Sequence, residues 1–444
     1  MAVSVSDSRA SRSTITPWGD ADGLRARQLR PGPGGEPGAA ERNQRERLYG
    51  ATVAAVAEHG YEATRVADII AIAGVSRSAF YRYFDNKLEC FLATLDELAD
   101  LAEARLAGVY RDESRSWRER MRAVLEGFVE MVVAQPAAAR VWLVEIYAAG
   151  PLAVDRMERL ADRLELLASS AIAETADHSE LPVEGVRALL GGLRQVIHTR
   201  LRHGCEDELP ALVPDLLDWV LSYDSPSAPL RRPRKPPRLP DPSPNPDAQR
   251  QQIVAAITDL IAEDGYQTVT IAEISQRAAV SLSTFYNRFE SKQAAFLAAI
   301  DDGERQVVEA TRPVYRRAPD WRRATRDTIY AFFAFNVRHP AMSRLGAMRI
   351  FAGGAHGFDR HEQATDRFGA VLDGGYRERP GTSPIVSEAV RGSVAALVYQ
   401  EVRRRGPERL YEVAGIASFI ALAPFVGADE ATALANEGWH PASA

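Results

Sequence analysis

This sequence predicts an all-α protein in which one helical unit is written twice, and three observations carry that prediction. Apolar residues recur at helical spacing from residue 42 to about 224, for example at Val124, Phe128, Met131 and Val132, and again from 249 to about 426. No strand-like alternation of useful length interrupts either region. Residues 57–96 align without a gap on 262–301: Gly60 falls on Gly265, Tyr81 on Tyr286, Lys87 on Lys292 and Phe91 on Phe296, each pair 205 positions apart. Weaker echoes continue 204 apart, at Trp117 with Trp321, Pro136 with Pro340, Arg140 with Arg344 and Asp155 with Asp359.

Taken in order, residues 1–40 are rich in Ser, Gly, Pro and Arg ("QLRPGPGGEPGAA") and read as a disordered tail. Residues 41–95 form the first compact head and 96–224 the helical region behind it. Residues 225–247 read "SPSAPLRRPRKPPRLPDPSPNPD", in which proline removes donors and fixes φ, so no helix continues through it. An extended linker at ~3.1 Å per residue, reaching up to about 60 Å, is expected there. Its Arg231, Arg232, Arg234, Lys235 and Arg238 make it basic, which suits either phosphate contact or simple solvation. The second head spans 248–300, its helical region 301–430, and 431–444 is a tail.

At 444 residues, two or three domains are expected. Hydrophobic content of 46% and charged content of 26% are ordinary for a globular protein. No apolar run approaches the ~18–20 residues that span a bilayer, and the start lacks the apolar core of a secretory signal, so no membrane role and a cytoplasmic location are expected. Two cysteines, Cys90 and Cys205, make neither a disulfide framework nor a zinc site. The formal charge of −6 does not exclude nucleic acid, because binding needs only a local basic face.

The repeated heads carry the chemistry. In each, a helix ends at a glycine, Gly60 or Gly265, and a short helix follows. Thr270 with Glu273 makes a capping box in the second copy. The first copy has Arg65 there, leaving Thr64 or nothing as its cap. The turn "AGVS" or "AAVS" leads to a third helix capped by Ser76 or Ser281. A supporting helix followed by two short helices joined by a tight turn describes a helix-turn-helix, whose second helix enters the major groove. Ser76, Ser78, Ser281, Ser283 and Thr284 would offer hydroxyls to phosphate oxygens, with Thr64 and Thr270 at the start of the preceding helix. Phe80 with Phe84, and Phe285 with Phe289, form the seam that seats the helix. Tyr81 and Tyr286 lie off that seam, and Lys87 and Lys292 are placed to reach phosphates as point charges.

The phrases "AGVSRSAFYRYFDNKLECF" and "AAVSLSTFYNRFESKQAAF" resemble the DNA-binding domain of the TetR family of transcriptional regulators. The likeness covers about fifty residues in each half, and "RLRHGCEDELPALVPDLLDWVLS" resembles the family's last two helices. The resemblance implies two tandem TetR-like units, each a head plus a helical region that binds a small-molecule effector and dimerises. It implies double-stranded operator DNA as partner, no catalytic residues, and a ligand-responsive repressor found on the nucleoid when bound.

The second copy departs from the pattern where bases would be read. Arg77 becomes Leu282, Arg82 becomes Asn287 and Tyr83 becomes Arg288, while the turn glycine becomes Ala279, expected at negative φ. Arginine favours guanine edges, whereas leucine and asparagine suit a thymine methyl and adenine, so an asymmetric site is expected. The heads carry little net charge: seven basic and seven acidic residues over 41–90, four and five over 248–298. The second head is therefore expected to be the weaker.

Trp142, Ile146 and Tyr147, and Phe332, Phe333, Phe335, Met342 and Phe351, suit either core or an apolar ligand pocket, and no ligand residue is singled out. His356, Asp359 and His361 in "FAGGAHGFDRHEQA" have no histidine counterpart in "YAAGPLAVDRMERL", so the stretch reads as a loop and no metal is expected. Three arrangements fit: the two units pair within one chain as a covalent pseudo-dimer, two chains pair to give four heads, or the second unit is a dimerisation or sensing module with a vestigial head. The first is preferred, since the linker's reach exceeds the ~34–36 Å between half-sites.

Overall fold

The computed structural model describes residues 15–29, 38–110, 112, 114–173, 181–223, 228–239, 247–352 and 369–439. Packing divides the chain into two compact units that cut across the repeat, one comprising 1–163 and 197–213, the other 164–196 and 214–444.

The first unit begins with the strands β1 (Ile15–Thr16) and β2 (Gly19–Asp20), paired as an antiparallel hairpin. It continues through α1 (Ala39–His59), α2 (Val66–Ala73), α3 (Arg77–Tyr83), α4 (Lys87–Tyr110), α5 (Trp117–Ala134), α6 (Pro136–Leu143) and the start of α7 (Pro151–Ala173). The later turns of α8 (Val183–His203) and the first turn of α9 (Leu209–Leu221) complete it. Residues 15–29 lie inside the stretch expected as a tail, yet they are folded against α1. Leu24 is fully buried with Leu48, Tyr49 and Ala51, and the Trp18 ring lies 5.5 Å from that of Tyr49. Gly50 makes room: a Cβ there would stand 3.1 Å from the Leu24 methyls. Two apolar side chains with a smooth helix face to cover are enough to order a short strap.

The second unit holds α10 (Ala248–Asp264), α11 (Ile271–Arg277), α12 (Leu282–Arg288), α13 (Lys292–Arg317), α14 (Trp321–Arg338) and α15 (Pro340–Ala352). Beyond these come α16 (Asp373–Glu378), α17 (Ile385–Arg405), α18 (Ala414–Val426) and α19 (Ala428–Glu437). α14 is buried almost all round from Ala324 to Asn336, and Phe333 and Phe335 are core there. α19 closes over it, its Ala435 carbonyl accepting from Tyr330 Oη at 2.8 Å and its Glu437 pairing with Arg326. The segment Pro407–Val426 is long and apolar enough to cross a membrane, but 83% of it is buried inside this unit, which marks a core element.

The earlier turns of α8 and most of α9, from the first repeat, belong to this same unit. Glycines let α8 and α17 approach closely: a Cβ on Gly392 would lie 3.2 Å from the Gly192 Cα, and one on Gly191 would collide with the Ala396 methyl. From the end of α9, Trp219 Nε1 donates to Tyr223 Oη at 2.8 Å, and Tyr223 Oη donates to the Ile420 carbonyl of α18 at 2.8 Å. The proline-rich segment carries no helix or strand over 228–239 and is pinned along this unit. Asn436 bonds the backbone at Arg231 (2.7 Å) and Pro229 (3.0 Å), Leu239 is buried, and Arg232 pairs with Glu184 at 2.8 Å. His356, Asp359 and His361 lie outside the described residues.

Candidate nucleic-acid interface

Each head is built from the same few local rules. α1 and α10 stop at Gly60 and Gly265, whose φ values are 77° and 83°. Ser76 Oγ accepts from the Ala79 N–H at 3.1 Å, and Ser281 Oγ from the Thr284 N–H at 3.0 Å, so both recognition helices are capped as expected. Phe80 and Phe285 are fully buried, and Phe84 and Phe289 nearly so, which fixes the helix on its seat. The Thr270–Glu273 capping box forms, with the Thr270 N–H donating to Glu273 at 2.8 Å. In the first copy the same place is filled by Arg65, whose N–H donates to the Asp68 carboxylate at 2.8 Å.

Several of the groups expected to meet DNA make contacts within their own head. Thr64 is buried, its hydroxyl donating to the Gly60 (2.7 Å) and Ala55 (3.2 Å) carbonyls, so it packs the turn and presents nothing. Lys87 turns inward: its Nζ donates to the carbonyls of Tyr61 (2.6 Å), Thr64 (2.8 Å) and Glu62 (3.3 Å) and sits 4.2 Å from the Tyr61 ring centre. Lys292 repeats this with Tyr266 (2.9 Å) and Val269 (2.8 Å), 4.4 Å from the Tyr266 ring centre. Burial pulls both ammonium groups below the usual lysine range. The carbonyls of a tight turn need donors and the nearest long cation supplies them, so these lysines act as internal ties. Tyr83 and Arg288 are also ties: Tyr83 Oη donates to Gln44 at 2.9 Å, and Arg288 donates to Gln249 at 3.0 Å and pairs with Asp247 at 3.3 Å. Gln44 and Gln249 are themselves 205 apart, so one contact is kept while its donor changes.

Ala279 has φ 53°, the only positive value at a non-glycine among the described residues. Its N–H donates to Gln276 O (3.1 Å) and the next N–H to Ser275 O (3.0 Å), a helix-ending turn that requires the left-handed conformation whatever residue stands there. At the equivalent Gly74, φ is 63° and a Cβ would stand 2.7 Å from Arg25 Cγ of the strap. The strap is what sequence reading missed here: Arg25 Nε donates to the Ala71 carbonyl at 2.6 Å. Arg47 was missed too; it is buried and ties α1 to the Ala73 carbonyl at 2.7 Å.

What remains outward differs between the heads. On α3, Ser76, Arg77, Ser78, Tyr81 and Arg82 are exposed, with the Arg77 guanidinium 5.7 Å from the Tyr81 ring centre. On α12, Ser281, Leu282, Ser283, Tyr286 and Asn287 are exposed, Leu282 and Tyr286 by 51% and 56%, and Thr284 and Thr270 flank them. The second head's bases are engaged internally: Arg277 with Glu263 at 2.9 Å, Arg288 as above, Arg250 over the Phe289 ring and Lys292 in its turn. Arg77 and Arg82 thus stand forward on α3, whereas on α12 the exposed Arg288 is tied back to Asp247 and Gln249 and the neighbouring outward residues are uncharged.

The family model for bacterial regulatory proteins of the tetR family matches residues 48–94 and again 253–299. Both heads are thus TetR-type helix-turn-helix domains, and the chain carries that head twice. TetR relatives are transcription regulators and not enzymes. One curated relative, the HTH-type transcriptional activator FasR of Mycolicibacterium smegmatis (strain ATCC 700084 / mc(2)155), is 32% identical over 89 residues. That match covers 20% of this chain and 41% of the length of FasR. Among solved structures, the fatty acid degradation regulator FadR from Bacillus halodurans is 20% identical with a TM-score of 0.37, covering 40% of this chain and 97% of that one. FadR from Bacillus subtilis, solved with stearoyl-CoA, is 18% identical with the same coverage and TM-score.

Proposed function

We propose that this chain is a ligand-responsive, sequence-specific DNA-binding regulator of the TetR family acting as a repressor, and that its two heads read one asymmetric operator as a covalent pseudo-dimer. The observation that carries this reading is the pair of heads itself. Their seats (Phe80 and Phe84, Phe285 and Phe289) and the caps of the third helix (Ser76, Ser281) coincide, while the outward side chains differ at Arg77 against Leu282 and Arg82 against Asn287. A framework kept with its reading face changed suits two half-sites of different sequence. Intrachain pairing is supported by the second unit, where α8 and α9 of the first repeat pack on α17 and α18 of the second through Gly192, Gly392 and the Trp219–Tyr223–Ile420 chain. Hydroxyls at Ser76, Ser78, Ser281, Ser283, Thr284 and Thr270 grip phosphates, Tyr81 and Tyr286 flank the groove, and the small-molecule effector binds among the helices behind the heads.

The test is selection from a randomised duplex pool by the full chain, followed by footprinting of the enriched duplex. The reading requires two unlike half-sites, with Arg77→Ala relaxing one and Asn287→Ala the other. A perfect palindrome, or Asn287→Ala without effect on either half, contradicts it. The name of the curated relative favours a second reading, activation, in which occupancy raises transcription. A reporter carrying the enriched duplex separates the two by the sign of its response.

A further inference from the structure

Resting on the reading of the first head as DNA-binding, we infer that Glu145 is the positioning residue through which the helices behind that head set its geometry. α6 and the turn after it reach three ways within the first unit. Trp142 Nε1 donates to the Leu95 carbonyl of α4 at 3.0 Å, and Arg140 donates to the Leu201 carbonyl of α8 at 2.9 Å. Glu145 accepts from the Tyr61 N–H at 2.8 Å, in the turn between α1 and α2. The carbonyl of that same Tyr61 accepts from Lys87. One residue is therefore held between a carboxylate on its N–H and an ammonium on its C=O, two charge-assisted bonds to adjacent peptide groups. Five residues on, α2 begins, and α3 follows it, so this turn sets where the recognition helix starts from.

The other end of the tie lies among the helices expected to sense the effector. Ile146 is fully buried, and Tyr147 packs edge-on against the His198 ring of α8, with centroids 6.2 Å apart. A shift of α8 is thereby passed to Glu145 through a buried lever. The second copy is written differently: the position corresponding to Trp142 is Gly346, and the one corresponding to Glu145 is Arg349, of opposite charge. The second copy therefore lacks the carboxylate on which the tie depends, and α15 meets the second head through apolar packing at Leu345 instead.

The experiment compares the full chain with Glu145→Ala and Glu145→Gln, since glutamine still accepts from an N–H. Amide hydrogen exchange is followed at 60–64, and affinity is measured for the duplex enriched by the wild type from a randomised pool. Loss of one charge-assisted bond predicts faster exchange confined to that turn and about tenfold weaker binding for Glu145→Ala, with most of both restored in Glu145→Gln. Unchanged or tighter binding with unchanged exchange overturns the inference. So does loss of protection spread evenly over α1–α4, or a Glu145→Gln variant as impaired as Glu145→Ala. If the wild type enriches no duplex, the DNA reading itself fails, while the exchange arm still decides whether Glu145 holds the turn.

Discussion

Lys292→Met separates two physical roles for the lysine that each head repeats. Methionine keeps most of the apolar stem and removes the ammonium. The variant loses the bonds to the Tyr266 and Val269 carbonyls, 2.9 and 2.8 Å long, and the seat over the Tyr266 ring. A charge-assisted bond contributes about 1.5–3 kcal/mol and a partly exposed cation–π contact about 0.5–1 kcal/mol. The ammonium already carries a desolvation cost, seen in its lowered pKa, so the lower ends apply and the net loss is about 2 kcal/mol. That is roughly a thirtyfold faster opening of the second head. Because the chain is multidomain, the assay is amide hydrogen exchange over α10–α13 rather than a single melting temperature. In parallel, the slope of log affinity against log salt is measured on the enriched duplex. An internal tie predicts faster exchange with an unchanged slope. Unchanged exchange with a slope reduced by about 0.9 would restore the phosphate-contact role and refute the reasoning.

Other outcomes follow from single features. Ala279→Gly removes left-handed strain of about 1 kcal/mol against a smaller entropic penalty, so the second head opens more slowly; Gly74→Ala gains that strain and displaces Arg25, so the first opens faster, and exchange reads both. Glu273 is held below the usual carboxylate value by its bonds from the Thr270 hydroxyl and N–H. With the folded pKa depressed, the cap's stabilisation is complete above 4.5 and is lost as pH falls through the lower folded value; an NMR titration of the Thr270 amide with a midpoint at or above 4.5 contradicts this. Burial pushes the Cys90 thiol up to about 12, so iodoacetamide labels Cys205 in the native chain and reaches Cys90 only on unfolding.

Much of the head was legible because its rules are local. A serine before a short helix, a Thr-x-x-Glu box and two phenylalanines four apart each specify a contact within one turn, and each formed. The internal bonds of Lys87 and Lys292 were not legible, because their partners are backbone carbonyls more than twenty residues away, which sequence spacing does not display. The Arg288 bond was hidden likewise, its partner Gln249 lying on α10. The strap was hidden by its composition: Trp18 and Leu24 are isolated apolar residues among polar ones and show no period. Ala279 shows the converse, since the turn around it dictates φ and the residue complies. The packing of the early turns of α8 and most of α9 into the second unit agrees with docking through the last two helices of each repeat, while the glycines that permit it, Gly191, Gly192 and Gly392, carry no period to mark them.

The central claim is that one chain is a complete two-headed reader. Light scattering of the full chain, alone and on the enriched duplex, measures this directly. The account predicts a particle of one chain, 48.7 kDa before DNA is added, and one chain per duplex afterwards. A stable two-chain particle on a single duplex would contradict it.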